Sequence, residues 1–277
     1  VSLSDEDLRV AYERRIRPQD LTLYVVGGID PDALIKALNK HFGDWKPRKG
    51  DAAIPDLEAF DPAEQQARVI VFDMPGAPQS NVIAAQIIDP PFQPGHTDFR
   101  LADMIYGGTF TSRINSNLRE EKGWSYGVRS SVSSVVGPRL WKVTAQVQSD
   151  KTAQSIEELL RELRAVDGDK PFTADELDDV RNERIRKLPG ITATTFGILV
   201  YLAENAVYGH ADDYVEKRKG EYEAVQLENL APALDTRIDP DKLVWFISGD
   251  LAKIEADIAA LGLGKIEVWD ADGNRVR

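Results

Sequence analysis

The chain has 277 residues, of which 42% are apolar and 29% charged, the balance of an ordinary globular protein with enough apolar residues for a sizeable core. A net charge of −12, with the acidic residues scattered along the chain, has the wrong sign for phosphate backbones and anionic membrane surfaces, so neither nucleic acid nor membrane is an expected partner. The absence of cysteine excludes disulfides, thiolate catalysis and cysteine-held metals.

The first six residues lack the basic start and apolar stretch of a signal peptide, and no apolar run reaches the ~18 residues of a membrane-spanning helix. Ser4 is a suitable N-cap for a helix over 5–17, which Pro18 ends. Residues 21–26 are short and rich in β-branched and aromatic residues, and so predict a strand. Gly27 and Gly28 turn the chain, and Asp30-Pro31 open a helix with an N-cap and a proline at its first position. Leu34, Leu38 and Phe42 form its apolar row, and Gly43 is the expected stop. Pro47, Gly50, Pro55 and Pro62, with few large apolar residues between them, mark a linker centred on 51–68.

A compact domain is expected over 69–277. Strands at 69–74 and 81–88 flank the turn Pro75-Gly76-Ala77-Pro78, and helices follow at about 98–106 and 110–121. Residues 124–135 and 140–148 form a hairpin. In its second strand Trp141, Val143, Ala145 and Val147 alternate with Lys142, Thr144, Gln146 and Gln148, giving one dry face. A helix spans 151–166, and Thr173 with Glu176 forms a capping box for the next. Helices near 192–208, 212–222, 226–236 and 250–261, with strands at 243–247 and 266–269, complete an α+β pattern.

The stretch Leu23-Tyr24-Val25-Val26-Gly27-Gly28-Ile29-Asp30, followed by an apolar helix, has a counterpart in Val244-Trp245-Phe246-Ile247-Ser248-Gly249-Asp250-Leu251. The copies lie about 220 residues apart, a domain-sized interval. Duplication would make the earlier copy the close of a preceding domain. A common strand–Gly–Asp–helix turn used twice would produce the same pattern.

The richest motif is 106–127, YGGTFTSRINSNLREEKGWSYG. Phe110, Ile114 and Leu118 sit at i, i+4, i+8 and are expected to be buried as one row. Arg119, one residue further on, points to a different side of the helix, and Gly123 ends it just before Tyr126. A helix end meeting a strand start can bring this guanidinium and this phenol together, and both can hydrogen-bond a peptide carbonyl. The plainer alternatives are an arginine answering the helix dipole and a tyrosine on the core face. The paired glycines form no phosphate loop, because G-x-x-x-x-G-K-[ST] is absent.

This motif resembles the pitrilysin, insulysin and mitochondrial processing peptidase family of zinc metallopeptidases: a double glycine, a phenylalanine, Ser-Arg, then Arg-Glu with Tyr-Gly seven residues after the arginine. Residues 75–80 resemble the turn that opens the family's non-zinc domain, 23–45 the close of the preceding zinc-type domain, and 172–177 the start of a late helix. The resemblance implies a two-layer α+β domain with a mostly antiparallel sheet and helices on one face, the mitochondrial-processing-peptidase-like metallohydrolase fold. It implies that 1–50 are the terminal strand and helix of a preceding homologous domain, 51–68 a linker, and 69–277 a complete substrate-binding domain. It assigns Arg119 to the substrate backbone and Tyr126 to the substrate and its oxyanion. It further implies a zinc-bearing homologous domain or subunit as partner, a peptide as substrate, and an exported, periplasmic bacterial setting. The alternative is a catalytically inactive scaffold or binding subunit of the same family.

The family's zinc motif, H-x-x-E-H, is absent. His41, His96 and His210 lie far apart and are expected at the surface or at helix ends, so any zinc is expected in the partner. Glu204, Asp212, Asp213 and Glu216 gather around His210, as a metal or acid–base group would, but a solvated helix junction has the same composition.

Overall fold

The structure is a computed structural model that describes residues 3–50, 65–270 and 273–277. Most of the expected linker lies outside the described residues. In chain order the first elements are helices α1 (Asp5–Arg15) and α2 (Pro31–Phe42), strands β1 (Arg68–Asp73) and β2 (Gln79–Ile88), and helices α3 (His96–Asp103) and α4 (Arg113–Asn115). The hairpin β3 (Ser125–Val132) and β4 (Arg139–Gln148) follows, then α5 (Thr152–Arg164), α6 (Ala174–Ile191), α7 (Thr195–Tyr208), α8 (Tyr214–Ala224) and α9 (Leu227–Asp235). Strand β5 (Val244–Gly249), helix α10 (Leu251–Ala260) and strand β6 (Ile266–Trp269) complete the series. The chain divides into two compact units, 60–186 with 215–277 and, smaller, 1–59 with 187–214. Residues 187–214, which fall inside the expected 69–277 domain, thus cluster with the N-terminal residues.

The larger unit is built on one six-stranded sheet in the order β3-β4-β2-β5-β1-β6. Its β3–β4, β4–β2 and β2–β5 pairs are antiparallel, and β5–β1 and β1–β6 are parallel. This is the expected α+β architecture with a mixed, mostly antiparallel sheet. The alternation of β4 does what its period requires: Trp141, Val143, Ala145 and Val147 are buried, while Gln146 and Gln148 are exposed. Val82 and Ala84 of β2 and Trp245 and Ile247 of β5 extend the dry face, and Ile156, Leu159 and Leu163 of α5 are buried with it. Each buried Val, Leu or Ile among them contributes about 1.5–3 kcal/mol of transfer free energy. The capping box forms as its spacing predicts: Glu176 N–H donates to Thr173 Oγ1 at 3.3 Å, and Thr173 N–H to Glu176 Oε2 at 2.9 Å.

In the smaller unit, Ser4 caps α1 and Asp30 caps α2 through Ala33 N–H at 2.9 Å. The strand predicted over 21–26 does not form. Leu21 is extended (φ −91°, ψ 134°), but the segment pairs with no strand among the described residues. A strand is defined by its ladder, and here the alternate residues Leu21, Leu23 and Val25 stay exposed. The β pattern is present in the sequence, but among the described residues no neighbouring strand pairs with it.

A candidate peptide-binding face

Two widened helical turns shape the segment between α3 and β3. The first, Met104–Gly108, prolongs α3, and the second, Ser116–Glu121, prolongs α4. Such turns leave the i→i−4 ladder, and Lys122 N–H reaches back five residues to Asn117 O at 3.1 Å. A Cβ on Gly107 would lie 2.6 Å from Ile114 Cδ1 and 2.8 Å from Ser130 Oγ, so close packing requires glycine there. Gly123, at φ +64°, ends the second turn.

Three buried polar side chains fix this segment from three directions. Arg113 forms a bidentate pair with Glu176, both bonds 2.7 Å, donates to the carbonyls of Lys170 and Pro171, and lies 4.9 Å from the Phe172 ring. Burial raises the Glu176 carboxyl, but hydrogen bonds from Arg113 and Thr173 outweigh it and hold the group below its ordinary pKa. Asn117 donates to Glu158 at 2.8 Å and to Glu162 at 2.9 Å, anchoring the turn to α5. Asn115 donates to Phe110 O at 2.6 Å and accepts from Val128 N–H at 2.9 Å, joining the segment to β3.

Arg119 lies on the second widened turn with its side chain 34% exposed. Its guanidinium sits 4.4 Å from the Phe110 ring centroid and 3.4 Å from Glu120. Tyr126 is 86% exposed. The cause is a β-bulge. Ser125 pairs with Val147 and Val128 with Ala145, so Tyr126 and Gly127 together oppose only Gln146. Regular alternation would turn Tyr126 to the same side as buried Val128, and the extra residue turns it out to solvent instead. Ser125 Oγ satisfies the groups the bulge frees, accepting from Gly127 N–H at 3.1 Å and donating to Gln146 O at 2.6 Å.

Phe110 departs from expectation. The predicted helix over 110–121 begins only at Arg113, so Phe110 precedes the helical row. Ile114 and Leu118 are buried, and Phe110 is 61% exposed. Sequence reasoning also passed over Asn115, a polar residue next to Ile114 in the apolar row. Its position four residues before Arg119 was the available signal.

The histidines are dispersed. His96 opens α3 half-buried, its Nδ1 3.2 Å from Arg139 Nη1. Burial and the cations Arg139, Arg100 and Arg237 push it down to about 4, with Asp89 opposing. His210 stacks on Tyr214 at 3.7 Å, and His41 is exposed. Among the described residues no three His, Asp or Glu side chains are placed to hold a metal ion, the carboxylates near His210 included.

Fold and sequence together define a metallopeptidase-type domain without the metal motif. The chain belongs to the peptidase M16 inactive domain family, whose model matches residues 2–184. The resemblance drawn from the 106–127 motif therefore holds at the level of the family, and the matched model is that of a non-catalytic domain of the M16 type. Among solved structures, the peptidase M16 inactive domain from Pseudomonas fluorescens is 19% identical at a TM-score of 0.72, over 89% of this chain and 57% of that one. A protease from Helicobacter pylori is 13% identical at 0.74, over 89% and 59%. The first half of the periplasmic protease PqqL from Escherichia coli is 14% identical at 0.63, over 97% and 61%. The chain thus spans less than two-thirds of the length of each. No curated protein matches it.

Proposed function

We propose that this chain is the zinc-free, substrate-binding half of a zinc-dependent metalloendopeptidase, which holds peptides in a chamber closed by a zinc-bearing homologous domain or subunit. Zinc on that partner would supply the hydrolytic chemistry. On this chain, Arg119 would orient the peptide backbone, and the Tyr126 hydroxyl would donate to the carbonyl oxygen as it gains charge. The observation that carries the reading is the bulge at Tyr126 and Gly127, which presents the phenol to solvent when regular alternation would have buried it.

Residues 1–50 are proposed to complete a preceding homologous domain, with 21–26 joining its sheet. The support is the exposed alternating row Leu21, Leu23 and Val25, followed by the capped amphipathic helix α2.

In the complete peptidase, Tyr126→Phe is expected to lower kcat by roughly a hundredfold or more, as loss of an oxyanion donor does. The melting temperature should hold, because the side chain is exposed. Arg119→Ala is expected to lower kcat/KM through lost positioning. Unchanged turnover in both variants would refute these roles for Arg119 and Tyr126, and no turnover by the native complete protein would favour an inactive scaffold or binding subunit.

A further inference from the structure

We infer that Phe110 is a specificity-determining residue, forming with Arg119 a shelf that receives an apolar, preferentially aromatic, side chain of the peptide; the inference rests on the peptide-binding reading above. Phe110 is 61% exposed, and its backbone is fixed, since the buried Asn115 amide holds its carbonyl at 2.6 Å. Arg119 lies 4.4 Å from the ring centroid, so the guanidinium and the ring form one composite surface.

The shelf adjoins Tyr126 through a short chain of contacts. Asn115 Oδ1 accepts from Val128 N–H at 2.9 Å, and a Cβ on Gly127, next to Tyr126, would sit 3.8 Å from that oxygen. A peptide oriented by Arg119 would have the Phe110 ring, which that guanidinium covers at 4.4 Å, beside one of its side chains. The charge around the shelf selects what that side chain can be. Glu120, 3.4 Å from Arg119, already answers the guanidinium, and the chain carries a net charge of −12. An acidic side chain would be repelled, whereas an apolar one would cover the ring and remove its exposed surface from water.

The test uses the complete peptidase and matched peptides that differ only by Phe or Ser at each position flanking the cleaved bond. The native enzyme is expected to favour Phe at one position by about tenfold or more in kcat/KM, the range one apolar contact supplies. Phe110→Ala should collapse that ratio toward one, and Phe110→Leu should keep part of it. A ratio unchanged in Phe110→Ala, an equal decline for both peptides, or no preference in the native enzyme would each overturn the proposal. Failure of the underlying reading is distinct: Tyr126→Phe and Arg119→Ala would then leave turnover intact.

Discussion

The half-buried His96 provides a quantitative test of the packing around Arg139 at the start of β4. Its folded-state pKa is pushed to about 4, from an ordinary value of 6.5. Arg139, Arg100 and Arg237 face it as cations and Asp89 as the opposing anion, and the Phe92 ring lies 5.0 Å away. Arg139 donates toward Nδ1, which fixes that nitrogen as the acceptor of a neutral imidazole. Because the folded value lies below the unfolded one, the unfolded chain binds more protons over this interval. The stability is present above about pH 6.5 and is lost as pH falls toward 4. A shift of this size corresponds to about 3 kcal/mol, and partial solvent access reduces it to about 2. The useful quantity is the difference between the native chain and His96→Asn, whose amide oxygen can still accept from Arg139. Followed by thermal melting, the native chain should lose roughly 4–8 °C more than His96→Asn between pH 7 and pH 4. Parallel curves for the two proteins would refute the argument.

Substitutions at three further positions probe the frame around the candidate face. Arg113→Ala strands Glu176 and two carbonyls and should cost about 3 kcal/mol in urea unfolding; a loss below about 1 kcal/mol would contradict the staple role. Gly107→Ala drives a methyl into Ile114 and Ser130, and a loss of about 1–3 kcal/mol is expected by the same measurement. Asp103 is fully buried, which raises its carboxyl pKa, and it accepts from Trp141 Nε1 at 2.8 Å. Asp103→Asn should be neutral or stabilising at pH 7, since the acceptor for Trp141 remains and no ionisable carboxyl is left buried. Asp103→Ala should cost about 1–3 kcal/mol by leaving the indole N–H unpaired, and equal effects of the two would show that the hydrogen bond is unimportant.

Much of the architecture is legible in the sequence because single local signals decide it. The β4 alternation, the Thr173–Glu176 box and the Asp30-Pro31 helix start each depend on residues a few positions apart. The elements that differ from their sequence pattern depend on partners or on an irregularity. Residues 21–26 carry a strand pattern, but no sequence pattern supplies the neighbouring strand. Phe110 was placed in a helical row by spacing alone, and periodicity has meaning only inside the helix, which starts at Arg113. The bulge that turns Tyr126 outward inserts one residue into β3, and its only local hint is the Ser125–Gly127 pair.

The distribution of polar groups in this segment bears on whether the arrangement is incidental. A helix that merely closed a sheet could end on apolar contacts and a glycine. Here Arg113, Asn115 and Asn117 are all buried, and burying polar groups is unfavourable unless each finds partners. The Arg113 guanidinium bonds toward 170–176, the Asn115 amide toward β3, and the Asn117 amide nitrogen toward α5, while Asn117 Oδ1 is left without a partner among the described residues. Such bonds add little net stability compared with apolar packing of the same volume, but they define one geometry. The geometry they define is that of Phe110, Arg119 and Tyr126, whose side chains remain open to water. A segment held rigidly from within, presenting an aromatic ring, a guanidinium and a phenol to solvent, has the form of a preorganised binding face.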